Sequence, residues 1–516
     1  MMRRLCRGLL APIPVVVGVI GWTACRDSNV PFLTAPTSVA ETPTGVQNAV
    51  TGLMFAARLD VGAYILTMTG FGRDAGNFTN TEPRWVTEGL GIVPLLSQSV
   101  YAPFMWDQEF ANAKLANDIL ASIPAVQPAY TPAQAAALTG VVQTIKALQF
   151  MLIAESHDTA GVPVASITSA TPAPILCNPD VWRYVVALLD SANAALNLAS
   201  GIPLPIALPS GFASVSAMAG PSTSPGAFAA FNRALAGKAG LELAYAIARA
   251  GAGAPTSLTS GAPDPAALAR ADSALRASAL FNPSAITTPS PNGFSTADPY
   301  GVYYVWSGQS GDMRNPVLDN GGTYAVLWDF VTDVDTLNDA RWHAKFALNP
   351  NQVQEQAFAA IASPYVYTYY GSAAAPIPIV RDEELTLVEA QVQIGLGQYA
   401  QALSLINMVH QQAGGFATPL TVPPDYVHVR DALLKEQRIA TVFESSGDRP
   451  IALRMYGLAA VADTTWSAHG PGPDSTGLAT AAASLGGTVT DQHTTLIPLP
   501  QSEIDGRHGA HALTCP

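Results

Sequence analysis

The sequence predicts a mainly α protein: a scaffold of tetratricopeptide-like helix pairs that carries a large irregular, loop-rich binding region. Nine segments show apolar residues at helical spacing, and most of them begin at Pro, Asp, Ser or Thr and stop at Gly or Pro, as helix ends require. Near the C-terminal third, two such segments are separated only by Gly395 and Gly397, a break that lets one helix fold back on the other. Between 281 and 380 the texture changes to Pro, Gly, Ser and Asn with many aromatics, among them Tyr300, Tyr303, Tyr304, Trp306, Tyr324, Trp328 and Trp342. Long irregular stretches inside a compact protein tend to be functional.

Composition bounds the rest. Of 516 residues, 49% are hydrophobic and 12% charged, enough for a core and too little charge for a disordered chain. One large, intimately packed unit is expected. The formal charge is -13, and removal of a leader whose charged residues are Arg3, Arg4 and Arg7 would take it to -16. Such a surface repels phosphate backbones, which excludes nucleic acid as a partner.

In chain order, residues 1-24 read as a signal peptide: the three arginines, an apolar run from Leu9 to Ile20, then Thr23-Ala24-Cys25. The small residues before Cys25 resemble the lipobox of bacterial lipoproteins, with Trp22 where Leu is usual, so Cys25 is the expected lipidation site. An ordinary cleaved signal is the other reading. The run is short for a membrane span, is interrupted by Pro12 and Pro14, and no similar apolar stretch is expected downstream. Residues 25-44 have the polar, Pro-rich composition of a tether. Helices are expected over 45-58 with Thr44 as cap, then over 108-122, 132-157, 179-199, 226-251, 264-280, 383-396, 398-413 and 427-445. With Cys25 acylated, Cys177 and Cys515 would either pair or remain two thiols. Cys/His ligand spacing is absent, and neither a metal nor a cofactor is expected.

Several segments carry a family resemblance. CRDSNVPFLTAPTSVAETPTGVQNAVTGL, IKALQFMLIAESHDTAGVPV, RDEELTLVEAQVQIGLGQYAQALSLIN, ALLKEQRIATVFESSGDRPIALRMYG and LIPLPQSEI are similar, in order and spacing, to the SusD/RagB family of nutrient-uptake lipoproteins. The resemblance implies a SusD-like helical part over 45-280 and a RagB/SusD part over 281-516 packed into the same unit. It also implies a non-catalytic, lipid-anchored protein on the outer-membrane surface that captures oligosaccharide or peptide nutrients for a SusC-like TonB-dependent transporter. Glu436, Arg438, Glu444, Arg449 and Arg454 belong to its charged stretch and are expected to form an internal ion-pair network.

Flat rings stack on sugars or peptides at small entropic cost while amide and guanidinium groups orient the ligand. Trp85, Tyr300, Tyr304 and Trp306 are therefore the candidate platforms, with Arg73, Asn77 and Asn80 as polar partners. The usual catalytic signatures are missing. The Glu155-Ser156-His157-Asp158 cluster is expected to be structural, its histidine favoured by a helix C-terminus, and His508 and His511 to be solvated tail. Two other classes remain: a tetratricopeptide-like envelope adaptor lipoprotein, and a secreted glycan-active enzyme with two facing carboxylates.

Overall fold

The computed structural model describes residues 42-77, 82-89, 93-126, 129-164, 173-212, 225-252, 262-309, 312-321, 324-348, 363-444, 448-458 and 496-507, within which lie sixteen helices and eight short strands. The leader, Cys25, the tether up to 41, Asn80, His508, His511 and Cys515 lie outside them.

The chain enters through α1 (Pro43–Ala56), whose first turn is capped by Thr42, the side chain accepting the Gly45 N–H at 3.0 Å. Pro43 at the first helical position has no N–H to leave unsatisfied, which moves the cap two residues ahead of the expected Thr44. Next come α2 (Val61–Phe71), β1 (Ala75–Asn77), α3 (Arg84–Thr87) and α4 (Asp107–Val126). The long α5 (Pro132–His157) starts in a complete capping box between Thr131 and Gln134. It is followed by β2 (Val162–Pro163), β3 (Ile175–Leu176), α6 (Asn178–Leu198), α7 (Pro225–Ala252) and α8 (Pro265–Ala277).

The aromatic-rich region contributes β4 (Gly301–Tyr304), α9 (Pro316–Gly321), β5 (Tyr324–Val326), α10 (Trp328–Asp333), α11 (Ala340–Lys345), β6 (Phe346–Leu348) and β7 (Tyr365–Tyr367). Then follow β8 (Ile377–Arg381), α12 (Asp382–Gly395), α13 (Tyr399–Gln412), α14 (Tyr426–Thr441), α15 (Asp448–Met455) and α16 (Gln501–Gly506).

The helices form one continuous array. Helix α1 packs on α4, α4 on α5, α5 on α6, α6 on α7 and α7 on α8; α8 and α7 both meet α12, and α12 holds α13 and α14. Glycines set the closest approaches. A Cβ on Gly140 of α5 would lie 2.6 Å from Leu196 Cγ and 2.9 Å from the Ala192 carbonyl oxygen of α6. One on Gly237 of α7 would lie 2.4 Å from Leu275 Cγ of α8. Two windows, Pro43–Phe71 and Pro132–Ala160, are as apolar as a membrane span, contrary to the sequence expectation. The second is 83% buried within the array, so its apolarity serves the core.

Four antiparallel ladders, β1–β5, β2–β3, β4–β8 and β6–β7, pin the irregular segments to this scaffold. The last described segment returns to the N-terminal half. Ile497 N–H donates to Ser156 O at 2.8 Å, Gln501 N–H to Ser97 O at 3.0 Å and Arg507 Nη1 to Ala173 O at 2.7 Å. Cys177 is disulfide-bonded.

The charged C-terminal stretch is buried and paired, but not with itself. Arg438 reaches Asp74 (2.7 Å), Asp329 (2.6 Å) and Asp333 (3.1 Å); Glu436 meets Arg341 (2.6 Å) and His410 (2.7 Å). Glu444 holds Lys345 (2.8 Å) and Arg381 (2.7 Å), Arg454 lies 3.4 Å from Asp158, and Arg449 approaches Asp74 at 3.9 Å. One network at a corner thus becomes several hubs, each tying α14 or α15 to a different layer.

Candidate ligand-binding site

Helix α2 ends where Gly72, Arg73 and Asp74 turn the chain into β1. Arg73 adopts φ 58°, a left-handed conformation that costs free energy for a side chain with a Cβ. The Arg438 hub holds it there: Arg438 Nη2 donates to the Arg73 carbonyl at 3.0 Å while its other nitrogens take Asp74 and Asp333. Burial pushes the Asp74 carboxyl up despite Arg438, whereas Asp333, closer to the edge, is held down mainly by Arg438 against the burial cost.

This rigid corner presents β1 and the neighbouring α3. Trp85 on α3 is half-buried and lies nearly parallel to the half-buried Phe104, centroids 6.3 Å apart at 14°. Tyr101 stands edge-on to both, at 5.4 and 6.1 Å, and its hydroxyl donates to Trp85 O at 3.2 Å. Glu88 anchors the loop beneath by accepting from Ser99 Oγ and, at 3.3 Å, from the Val100 N–H. On the outer side Glu82 and Arg84 form an exposed bidentate pair, which lowers the Glu82 carboxyl to about 2.

The expected platform set divides. Asn77, half-buried on β1, and Trp85 lie on adjacent elements at the C-terminal end of α2, where Phe71 touches Tyr101 at 5.3 Å. Trp306 is at the other end of α2, a separation of about 16 Å for eleven residues. There Arg58 lies between the rings of Phe55 (5.0 Å) and Trp306 (6.0 Å) and bonds Val305 O and Asp312. Tyr300 is half-buried at the start of β4, its carbonyl accepting the Asp382 N–H at 3.1 Å.

Three expected site residues are core. Arg73, Tyr304 and Trp306 are buried, with 1%, 5% and 4% of their surface exposed, so none offers an open face. Tyr304 sits on the all-buried β4 and points toward Glu109, Lys238 and Glu155, and burial raises its phenol. The same holds for Tyr303, Tyr324 and Trp342, which pack within aromatic layers such as Trp342–Phe346 (4.8 Å) and Tyr324–Phe443 (6.4 Å). Phe104 escaped notice; its signal was the closely spaced Tyr101, Phe104 and Trp106.

The Glu155–Asp158 cluster is buried, and each of its four side chains makes at least one hydrogen bond. Glu155 accepts from Tyr64 at 2.6 Å, Ser156 Oγ donates to Leu152 O at 2.7 Å and Asp158 takes Arg249 through two bonds of 2.9 Å. His157 Nδ1–H donates to Ile497 O at 2.9 Å, and burial lowers the ring to about 4. It is therefore neutral: desolvation outweighs the helix-dipole stabilisation expected for a cation there. Beside Tyr300, burial and then Asp298 push Asp382 up to about 7, while Asp298 accepts from Tyr303 and from the Tyr300 N–H at 2.9 Å. Among the described residues no group of three or more His, Cys, Asp or Glu could hold a metal ion.

Comparison with solved structures puts this array of helix pairs and ladder-pinned loops in the class of SusD-like folds. A SusD superfamily protein of Bacteroides fragilis NCTC 9343 superposes with TM-score 0.62 at 13% identity, covering 91% of this chain and 98% of its own. One from Bacteroides vulgatus ATCC 8482 gives 0.59 at 13% identity, over 90% and 97%. Surface glycan-binding protein A of Bacteroides thetaiotaomicron, solved in complex with laminarihexaose, gives 0.55 at 13% identity, over 91% and 98%. No sequence-family profile matches the chain, and no curated protein does. This protein has the SusD-like fold.

Proposed function

We propose that the protein is a cell-surface, lipid-anchored binding protein that captures an oligosaccharide and delivers it to a SusC-like TonB-dependent transporter in the outer membrane. The observation that carries this reading is the likeness, over about nine-tenths of both chains, to a surface glycan-binding protein solved with laminarihexaose. Cys25 would carry the lipid and residues 25-44 the tether, confining the body to the membrane plane at high effective concentration next to the transporter.

The binding face would centre on Trp85, backed by Phe104 and Tyr101, with Asn77 as a polar partner, and Asn80 and Tyr300 as further candidates. An indole held by two ring neighbours loses little entropy when a sugar face stacks on it. The protein would act without turnover. Titration calorimetry with laminarihexaose, other oligosaccharides and peptides tests the reading. Oligosaccharide binding that weakens about tenfold in Trp85→Ala, ~1.4 kcal/mol, supports it. Binding of peptides alone, or cleavage of the glycan, would overturn it.

A further inference from the structure

The two halves of the chain meet at a small cavity of about 20 Å³, lined from α5 by Glu155, from α7 by Lys238 and Glu242, from α12 by Gln391, from α14 by Gln437 and from α15 by Met455. Glu242 Oε2 and Gln437 Oε1 both lack a hydrogen-bond partner although both side chains are buried. Gln391 spends its amide on a long contact to Met455 Sδ at 3.9 Å. Two acceptors stranded against one small hollow are a costly arrangement unless something inside it donates. The space suits about one or two water molecules.

We propose that this seam cavity is an internal water site, in which an ordered water donates to Gln437 Oε1 and hydrogen-bonds Glu242 Oε2, and so joins α7 to α14. A water can donate to the Gln437 oxygen and can either donate to or accept from the Glu242 carboxyl. A cation is disfavoured by charge. The groups facing Glu242 are the carboxylates of Glu155 and Asp158 and the guanidinium groups of Arg249 and Arg454; Lys238 of the same helix is matched by Glu384 of α12. Positive and negative groups balance when Glu242 is the neutral acid. Burial raises its carboxyl to about 8, so it is largely protonated at neutral pH. As pH rises from about 4.5 toward 8 an unpaired carboxylate comes to face Glu155 and Asp158, so the seam weakens across that window.

A crystal structure of the wild-type protein near pH 6 is the first test. A single peak within about 2.6–3.2 Å of both oxygens is expected. A direct Glu242–Gln437 bond, an empty cavity, or a peak that becomes anomalous on rubidium soaking would overturn the proposal. Between about pH 5 and pH 8 the melting temperature of the wild-type protein should also fall relative to that of Glu242→Gln, which keeps a neutral donor and acceptor. Equal falls in both proteins would remove the proton from the proposal, and if the variant does not fold the wild-type density alone decides.

Discussion

Arg438 is a single residue whose loss would deprive three carboxylates of their nearest cation. Asp74 and Asp329 are buried and Asp333 nearly so, and each lies within 3.1 Å of one of its nitrogens. Breaking a buried pair by removing one partner costs about 3–5 kcal/mol. Arg438→Met should therefore lower stability by about that amount in urea titration, and Arg438→Lys should recover only part, because one ammonium cannot fork to three partners. His157 makes a second residue-scale prediction. Its pKa is depressed from 6.5 to about 4, so below 6.5 the unfolded chain binds the extra proton and the folded one does not. The contribution is present above pH 6.5 and is lost as pH falls toward 4, by about 3 kcal/mol. Unfolding measured across this window should show that slope reduced in His157→Gln. The internal character of this charged stretch was legible from its place on and after a helix. Its partners were not, since Asp74 and Arg438 are 364 positions apart.

At the scale of elements, the nine expected helices all form, with ends shifted by a few residues, because each shows a stripe of apolar positions between punctuating residues. Helix α2 was missed for a physical reason: nine of its eleven residues are buried, so it has no polar face and hence no period. The short strands carry too few residues to show alternation, and their pairing partners are distant, as with Ala75 and Val326. Close helix contacts give a prediction in which two effects oppose. Ala favours a helix over Gly by about 1 kcal/mol, but a Cβ on Gly140 would meet Leu196 and a backbone oxygen below 3 Å. Overpacking of this kind costs about 1–3 kcal/mol, so Gly140→Ala should lower the melting temperature. An increase would show that α5 and α6 separate easily.

Across the whole molecule, α7 and α8 of the first half pack on α12 of the second, and the segment at 496-507 returns to α5. Calorimetry should accordingly show one unfolding transition with van't Hoff and calorimetric enthalpies close to equal. Two separated transitions would mean that the halves at 45-280 and 281-516 are independent. Anchoring belongs to the same scale. Cys25→Ser should yield an unacylated protein that no longer partitions with membranes, read by mass spectrometry and fractionation; a wild-type chain without acyl groups would remove the tether from the proposal.

The sequence by itself determined the helical class, the positions of the long helices and the order of segments that resemble SusD/RagB proteins, because local periodicity and helix-end chemistry act over a few neighbours. Only the tertiary structure decided which aromatics face outward. Trp85 and Trp306 look alike in sequence, yet one rests half-open against Phe104 and the other is buried beneath Arg58 at the opposite end of α2. Burial is a property of what packs on a residue from afar, and for Trp306 that neighbour is Arg58, on the far side of the chain from it in sequence.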